Sequence, residues 1–269
     1  MKRVMLYFGS FNPVHKGHIA LAEHVIDRQL CDEVVLVVSP QSPYKEAGEL
    51  APELDRFEMA EIACAASKYP GRIKPSVVEF LLPKPSYTID TLRYLKENHG
   101  AQMRFSILMG GDQIARLDGW KEYERILEYP VYVYPRRGAD TSRFADRTTL
   151  LEDAPLQEFA ATEVRNRIGL GEDVSAMLEP AVADYIRRKG LWSPASRIEA
   201  LTAAIVAEPE NPALYLERGR LHYRLNAWGP ALNDFNRVLA IDPGNAEARQ
   251  YTGMVQEILD FRYKDIYNP

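Results

Sequence analysis

The chain has 269 residues, a hydrophobic share of 46%, a charged share of 26% and a formal net charge of −5. That length holds one large domain or two smaller ones, and the acidic balance argues against a surface that coats DNA or RNA, though not against a local basic pocket for a small nucleotide. The apolar run after Lys2 and Arg3 is too short for a signal peptide, and no stretch is long and apolar enough to span a bilayer, so a cytoplasmic protein without membrane contact is expected.

Strand-like and helix-like segments alternate up to about residue 190. The run Val4, Met5, Leu6, Tyr7, Phe8 reads as a first buried strand, 4–8. Gly9-Ser10-Phe11-Asn12-Pro13-Val14-His15-Lys16-Gly17-His18 follows, and then a helical pattern at Ile19, Ala22, Val25 and Ile26 predicts a helix over 17–30. A turn rich in Gly and Pro there sets backbone N–H groups and two imidazoles at a helix N-terminus, where an anion is held at low cost. The pattern continues with strand 34–38, helix 53–67, strand 73–78, helix 89–98, strand 103–109, helix 121–127 and strand 131–134.

These strands are short and apolar nearly throughout, as strands covered on both faces tend to be. Their alternation with helices implies a parallel, doubly wound sheet with right-handed crossovers. In the strand order 3-2-1-4-5, the loop at 9–18 and the loop Gly110-Gly111-Asp112 flank the switch point, where ligands bind. Cys31 and Cys64 each fall in a helical pattern without metal-ligand spacing and read as buried free thiols in a reducing compartment.

The end of the chain differs. Pro209 and Pro243, Asn211 and Asn245, and Gly219 and Gly253 share an offset of 34 residues. That is the period of tetratricopeptide repeats. Residues 212–245 resemble one full repeat, with Tyr215, Gly219, Leu225, Ala231, Phe235, Val238, Ile241 and Pro243 at packing positions. A half repeat over 197–211 precedes it and a helix over 246–261 follows. Ser193-Pro194-Ala195-Ser196 reads as a linker, giving domains at 1–193 and 197–269. Such a tail offers a surface for a protein partner or for self-association.

Gly9-x-Phe11-x-Pro13-x-His15-x-Gly17-His18 resembles the signature of the nucleotidyltransferase superfamily. Three further segments narrow the likeness to its nicotinate mononucleotide adenylyltransferases. They are Ser39-Pro40-Gln41-Ser42-Pro43-Tyr44-Lys45, Pro85-Ser86-Tyr87-Thr88-Ile89-Asp90-Thr91-Leu92, and Met109-Gly110-Gly111-Asp112 followed by Trp120. The likeness covers residues 1–190. It departs at Phe159-Ala160-Ala161-Thr162-Glu163-Val164-Arg165, where the family pattern places a serine at position 160. Thr162 is expected to cap the helix that carries Arg165, and weaker ATP affinity rather than lost chemistry is expected.

The resemblance implies a Rossmann-like α/β fold and transfer of AMP from ATP to nicotinate mononucleotide. Mg²⁺ would arrive with ATP, since no dedicated carboxylate cage is visible in the sequence. It assigns His15, His18 and Arg165 to catalysis. Gly9, Ser10, Phe11, Gly17, Thr162 and, more weakly, Arg136 join them in binding ATP. Lys45, Thr88, Asp112 and Trp120 fall to the mononucleotide, Trp120 as a stacking platform for the pyridine ring. Thr88 would open its helix as an N-cap. The attacking group is a phosphate oxygen, already anionic, so no general base is required. The reading requires both imidazoles to face the notch within reach of solvent. Its rivals are another adenylyl- or cytidylyltransferase of this fold, acting on phosphopantetheine or glycerol phosphate, and a non-catalytic repeat protein with a decayed site.

Overall fold

The apolar runs pair into one sheet. In the computed structural model, which describes residues 1–41, 50–155 and 159–266 with side chains through 260, the strands are β1 Lys2–Gly9, β2 Glu33–Val38, β3 Ile73–Ser76, β4 Met103–Gly110, β5 Val131–Tyr134 and β6 Thr149–Leu150. Their order is β3-β2-β1-β4-β5-β6, every pairing parallel. The expected doubly wound order therefore holds, extended by the two-residue β6. Leu6 in the central strand pairs with Val35 on one side and Ile107 on the other. Val4 to Phe8 are all buried, as a strand covered on both faces requires.

Helices α1 Lys16–Asp27, α2 Glu53–Ala65, α3 Thr88–His99, α4 Gly111–Ile114, α5 Tyr123–Ile126, α6 Ala161–Gly169 and α7 Pro180–Lys189 follow the strands. One core cluster joins Leu6, Phe8, Ile107 and Met109 of the sheet to Ile89 and Leu92 of α3 and Ile114 of α4.

Four local expectations need correction. The third strand stops at Ser76, short of the expected 78. Its Pro75 has no N–H to give, a residue suited to an edge strand, and Ser76 Oγ accepts from the Val78 N–H at 3.2 Å to start a 3₁₀ turn, Val78–Leu81. Helix α5 starts at Tyr123 rather than 121 because Glu122 sits at φ 50° in the left-handed region. Cys31 lies in the connection after α1, which ends at Asp27 and is followed by Gln29 at φ 55°. Both thiols are free and buried as expected, and burial pushes each up to about 12. Ser193-Pro194-Ala195-Ser196 is not a loop. Ser193 caps a helix, its side chain accepting from Ser196 N–H at 3.2 Å, with Pro194 at the first helical position.

The chain divides into two compact units, Met1–Val164 with Val174–Tyr185, and Arg165–Asp173 with Ile186–Pro269. The first contains the sheet. The second is helical: α8 Pro194–Ala207, α9 Pro212–Arg224, α10 Trp228–Ile241 and α11 Ala246–Ile266. Within it Phe235 stacks on Tyr251 at 4.8 Å and packs so closely on Gly219 that a Cβ there would lie 2.7 Å from the ring. Ala231, Phe235 and Val238 are buried as the repeat pattern expects, but Leu225 is exposed because it follows the last turn of α9. Among the described residues no helix is long and apolar enough to cross a membrane.

Candidate active site

The turn between β1 and α1 is built from its own sequence. Phe11 takes φ 44°, an unfavourable conformation for a bulky residue, and its ring lies against Gly9, where a Cβ would come within 3.1 Å. His15 is the N-cap of α1 in extended conformation, and its backbone N–H donates to Nδ1 of His18 at 3.1 Å. An imidazole nitrogen that accepts carries no proton, so a neutral His18 keeps its proton on Nε2 and presents a donor there. The two rings stack at 3.6 Å. Phe11 and Tyr7 lie 5.1 and 5.9 Å from His18.

The histidines do not share one environment. His18 is half-buried, whereas His15 is 2% exposed. Burial, with a smaller contribution from the Arg136 charge, pushes His15 down to about 3. His15 is thus neutral, and of the pair expected within reach of solvent only His18 keeps solvent access. The cause is the stack itself and Phe159, whose ring stands edge-on to His15 at 5.1 Å. His15 Nδ1 has no partner among the described residues, an unspent hydrogen-bonding atom in the notch.

Arg136 supplies positive charge. It lies over the Tyr134 ring at 5.5 Å and 3.6 Å from Asp112, and the Tyr134 and Asp112 groups hold its pKa up against burial. Tyr134 and Tyr7 meet through their hydroxyls at 3.1 Å. Asp112 is exposed in the first turn of α4. A Cβ at Gly110 would lie 2.6 Å from Asp112 Oδ1 and 3.1 Å from the Tyr134 hydroxyl, so glycine is what lets this loop close over the strand end. The loops after β1, β4 and β5 therefore converge, as the switch-point argument requires.

The Thr88 and Trp120 segments also meet. Lys121 Nζ lies 2.8 Å from Asp90 Oδ2 and 4.9 Å from the centre of the Tyr87 ring. Tyr87 and Trp120 are both partly buried against the sheet core. Thr88 is the first residue of α3 and Tyr87 its N-cap, which corrects the expected Thr88 cap. Lys45 lies outside the described residues. Thr162 does not cap its helix either. Glu163 and Val164 donate to the Ala160 carbonyl at 2.9 and 3.2 Å, so the cap position is residue 160, which has no side-chain acceptor. Arg165 lies one turn further along α6.

Arg56 went unnoticed in the sequence. It is 1% exposed, and its guanidinium donates to the carbonyls of Ala51 (2.9 Å), Ser10 (2.8 Å), Ser39 (2.6 Å) and Pro40 (2.8 Å). It ties the loop after β1 to the end of β2. Burial lowers its pKa to about 10, which leaves it charged at neutral pH. Its signal was available: Arg56 occupies the buried stripe of α2 with Met59, Ala60, Ala63 and Cys64. Among the described residues no group of three or more His, Cys, Asp or Glu side chains is placed to hold a metal ion.

Comparison with known proteins agrees with this fold. Residues 6–167 match the cytidylyltransferase-like family. A protein of Flavobacterium johnsoniae described as "Probable nicotinate-nucleotide adenylyltransferase" is 37% identical over 194 residues, covering 71% of this chain and 98% of the relative. One of the same description from Bacteroides thetaiotaomicron is 39% identical over 184 residues, covering 68% and 89%. The fold is similar to that of the Plasmodium falciparum nicotinic acid mononucleotide adenylyltransferase complexed with NaAD, with a TM-score of 0.61 at 20% identity over 71% of this chain and 98% of that one. The chain belongs to the cytidylyltransferase-like family, among its nicotinate-nucleotide adenylyltransferases.

Proposed function

We propose that the protein transfers AMP from ATP to nicotinate mononucleotide, giving nicotinate adenine dinucleotide and pyrophosphate. A phosphate oxygen of the mononucleotide attacks the α-phosphorus. The new P–O bond forms as the bond to the β-phosphate oxygen breaks, and pyrophosphate leaves with the electron pair. The protein's part is to bring two anions together and to stabilise the charge that spreads over the α-phosphate.

The observation that carries this reading is the His15–His18 pair. The His15 N–H fixes the His18 tautomer, and His18 Nε2–H is assigned to the α-phosphate in the transition state. His15 acts beneath it, holding the His18 ring through that bond and the 3.6 Å stack, at the wall proposed for the ATP phosphates. Gly9, Ser10, Phe11 and Gly17 shape that wall. Arg136 joins it as a cation, and Arg165 serves the β- and γ-phosphates. Asp112, Thr88, Trp120 and Lys45 belong to the mononucleotide side. Mg²⁺ carried on ATP would neutralise part of the triphosphate charge. The C-terminal helices are read as a tetratricopeptide-like surface for a protein partner or a second copy.

The test is pyrophosphate release by the full chain with ATP and Mg²⁺, using nicotinate mononucleotide, its amide and phosphopantetheine as acceptors. Fastest release with the acid is expected. Release with phosphopantetheine alone overturns the assignment, and equal rates on acid and amide overturn the acid preference. His18→Ala should lower turnover roughly 10²–10³-fold, the size of one lost transition-state donor. A loss under threefold removes His18 from the chemistry.

A further inference from the structure

Glu79 is a buried carboxyl in an apolar run. It sits in the 3₁₀ turn after β3, 1% exposed, between Val78 and the exposed Leu81. Hydroxyls from three segments face it: Ser39 at the end of β2, Ser86 in the loop before α3, and Thr91 in the first turn of α3. Thr91 Oγ1 donates to Glu79 Oε1 at 3.0 Å and lies 3.4 Å from the Tyr87 carbonyl. Ser86 N–H donates to the Gln41 carbonyl at 3.1 Å, and Ser39 N–H donates to the Gly9 carbonyl at 2.9 Å. The carboxyl therefore sits at the crossing of the loop after β1, the end of β2 and the start of α3.

The arrangement is expensive as packing. Among the described residues, Glu79 Oε2 and Ser86 Oγ are both buried and close no hydrogen bond. An unpaired buried polar atom is destabilising, and an aliphatic side chain would fill the space without that penalty. Burial pushes the carboxyl up, toward its neutral form, with the three hydroxyls opposing.

We infer that Glu79 is a positioning residue for the mononucleotide, holding the Ser86–Tyr87–Thr88 turn at the start of α3 through its hydrogen bond with Thr91, with Ser39 and Ser86 beside it. The inference rests on the assignment of Thr88 and Trp120 to the mononucleotide. Glu79 touches no substrate in this role. It sets the position of the Tyr87–Thr88 turn at the start of α3, the segment assigned to the mononucleotide. It acts by accepting the Thr91 hydrogen bond, not by moving a proton, so a carboxamide, whose oxygen accepts likewise, can replace it.

The test is steady-state kinetics on the full chain, varying each substrate in turn. Glu79→Ala should raise KM for nicotinate mononucleotide about tenfold, the size of one buried hydrogen bond, with KM for ATP and kcat within about twofold. Glu79→Gln should stay within about threefold of the parent on every constant. Thr91→Val removes the same tie without opening a cavity and should reproduce the effect of Glu79→Ala, which keeps the test available should Glu79→Ala not fold. Equal losses on both substrates, an unchanged mononucleotide KM, or a carboxamide as poor as alanine would each overturn the inference. Failure of the functional reading is distinct: it appears as a parent protein inactive on nicotinate mononucleotide, and the KM comparison then moves to whichever acceptor is used.

Discussion

His15 and His18 sit in a turn of ten consecutive residues, whereas Arg56 and Glu79 reach partners in several other segments. In that turn, the Phe11 backbone, the glycine beneath its ring and the first turn of α1 do the positioning. Arg56, by contrast, joins residues 10, 39, 40 and 51, and Glu79 faces residues 39, 86 and 91. A local turn can be altered residue by residue. A buried polar brace fails as a unit, because removing one member orphans all the others.

The largest effect should follow from breaking the brace at Arg56. Arg56→Met keeps most of the volume but leaves four carbonyls without their donor. We expect a loss of about 3–5 kcal/mol, measured by urea denaturation. A loss under 1 kcal/mol would mean that those carbonyls find water or other donors at once, and that the two sides are held alike.

That contrast also explains what could be read from the chain. Strand order, the motif at 9–18 and the convergence of the loops after β1 and β4 follow from periodicity and from turn residues close in sequence. Arg56 and Glu79 were legible only as anomalies, a cation in an apolar helical stripe and an acid in an apolar run. Their partners lie up to 46 residues away, and no spacing rule specifies those. The caps at Thr88 and Thr162 were misplaced by one and two residues for a related reason: residue type favours a cap, but the preceding chain direction decides which residue occupies it. Burial of His15 depends on Phe159, distant in sequence, so a local reading could not supply it.

His15 offers a test on the phosphate side, intermediate in size. Its folded pKa of about 3 lies below the ordinary 6.5. Unfolded chains therefore bind a proton that the folded chain refuses, and the stability lost begins as pH falls below 6.5 and grows until about 3. At pH 5 this amounts to about 2 kcal/mol. His15→Asn should lose about that much less stability than the parent between pH 7.5 and 5 in denaturant titrations. Parallel losses in the two proteins would show that His15 protonates in the folded state, and with it that the stack under Phe159 opens.

The smallest effect concerns the N-terminus of α6, where this chain departs from its family. Ala160 receives the first helical hydrogen bonds through its carbonyl but has no oxygen to return to the amides of the first turn. Ala160→Ser restores one and should stabilise the fold by about 1 kcal/mol, seen as a rise in Tm of about 2–4 °C. The same hydroxyl should lower KM for ATP severalfold, since Phe159 sets this helix start beside His15. A higher Tm with a raised KM would carry a different lesson. It would mean that the added hydroxyl stands where the triphosphate does, and that the alanine leaves room for it.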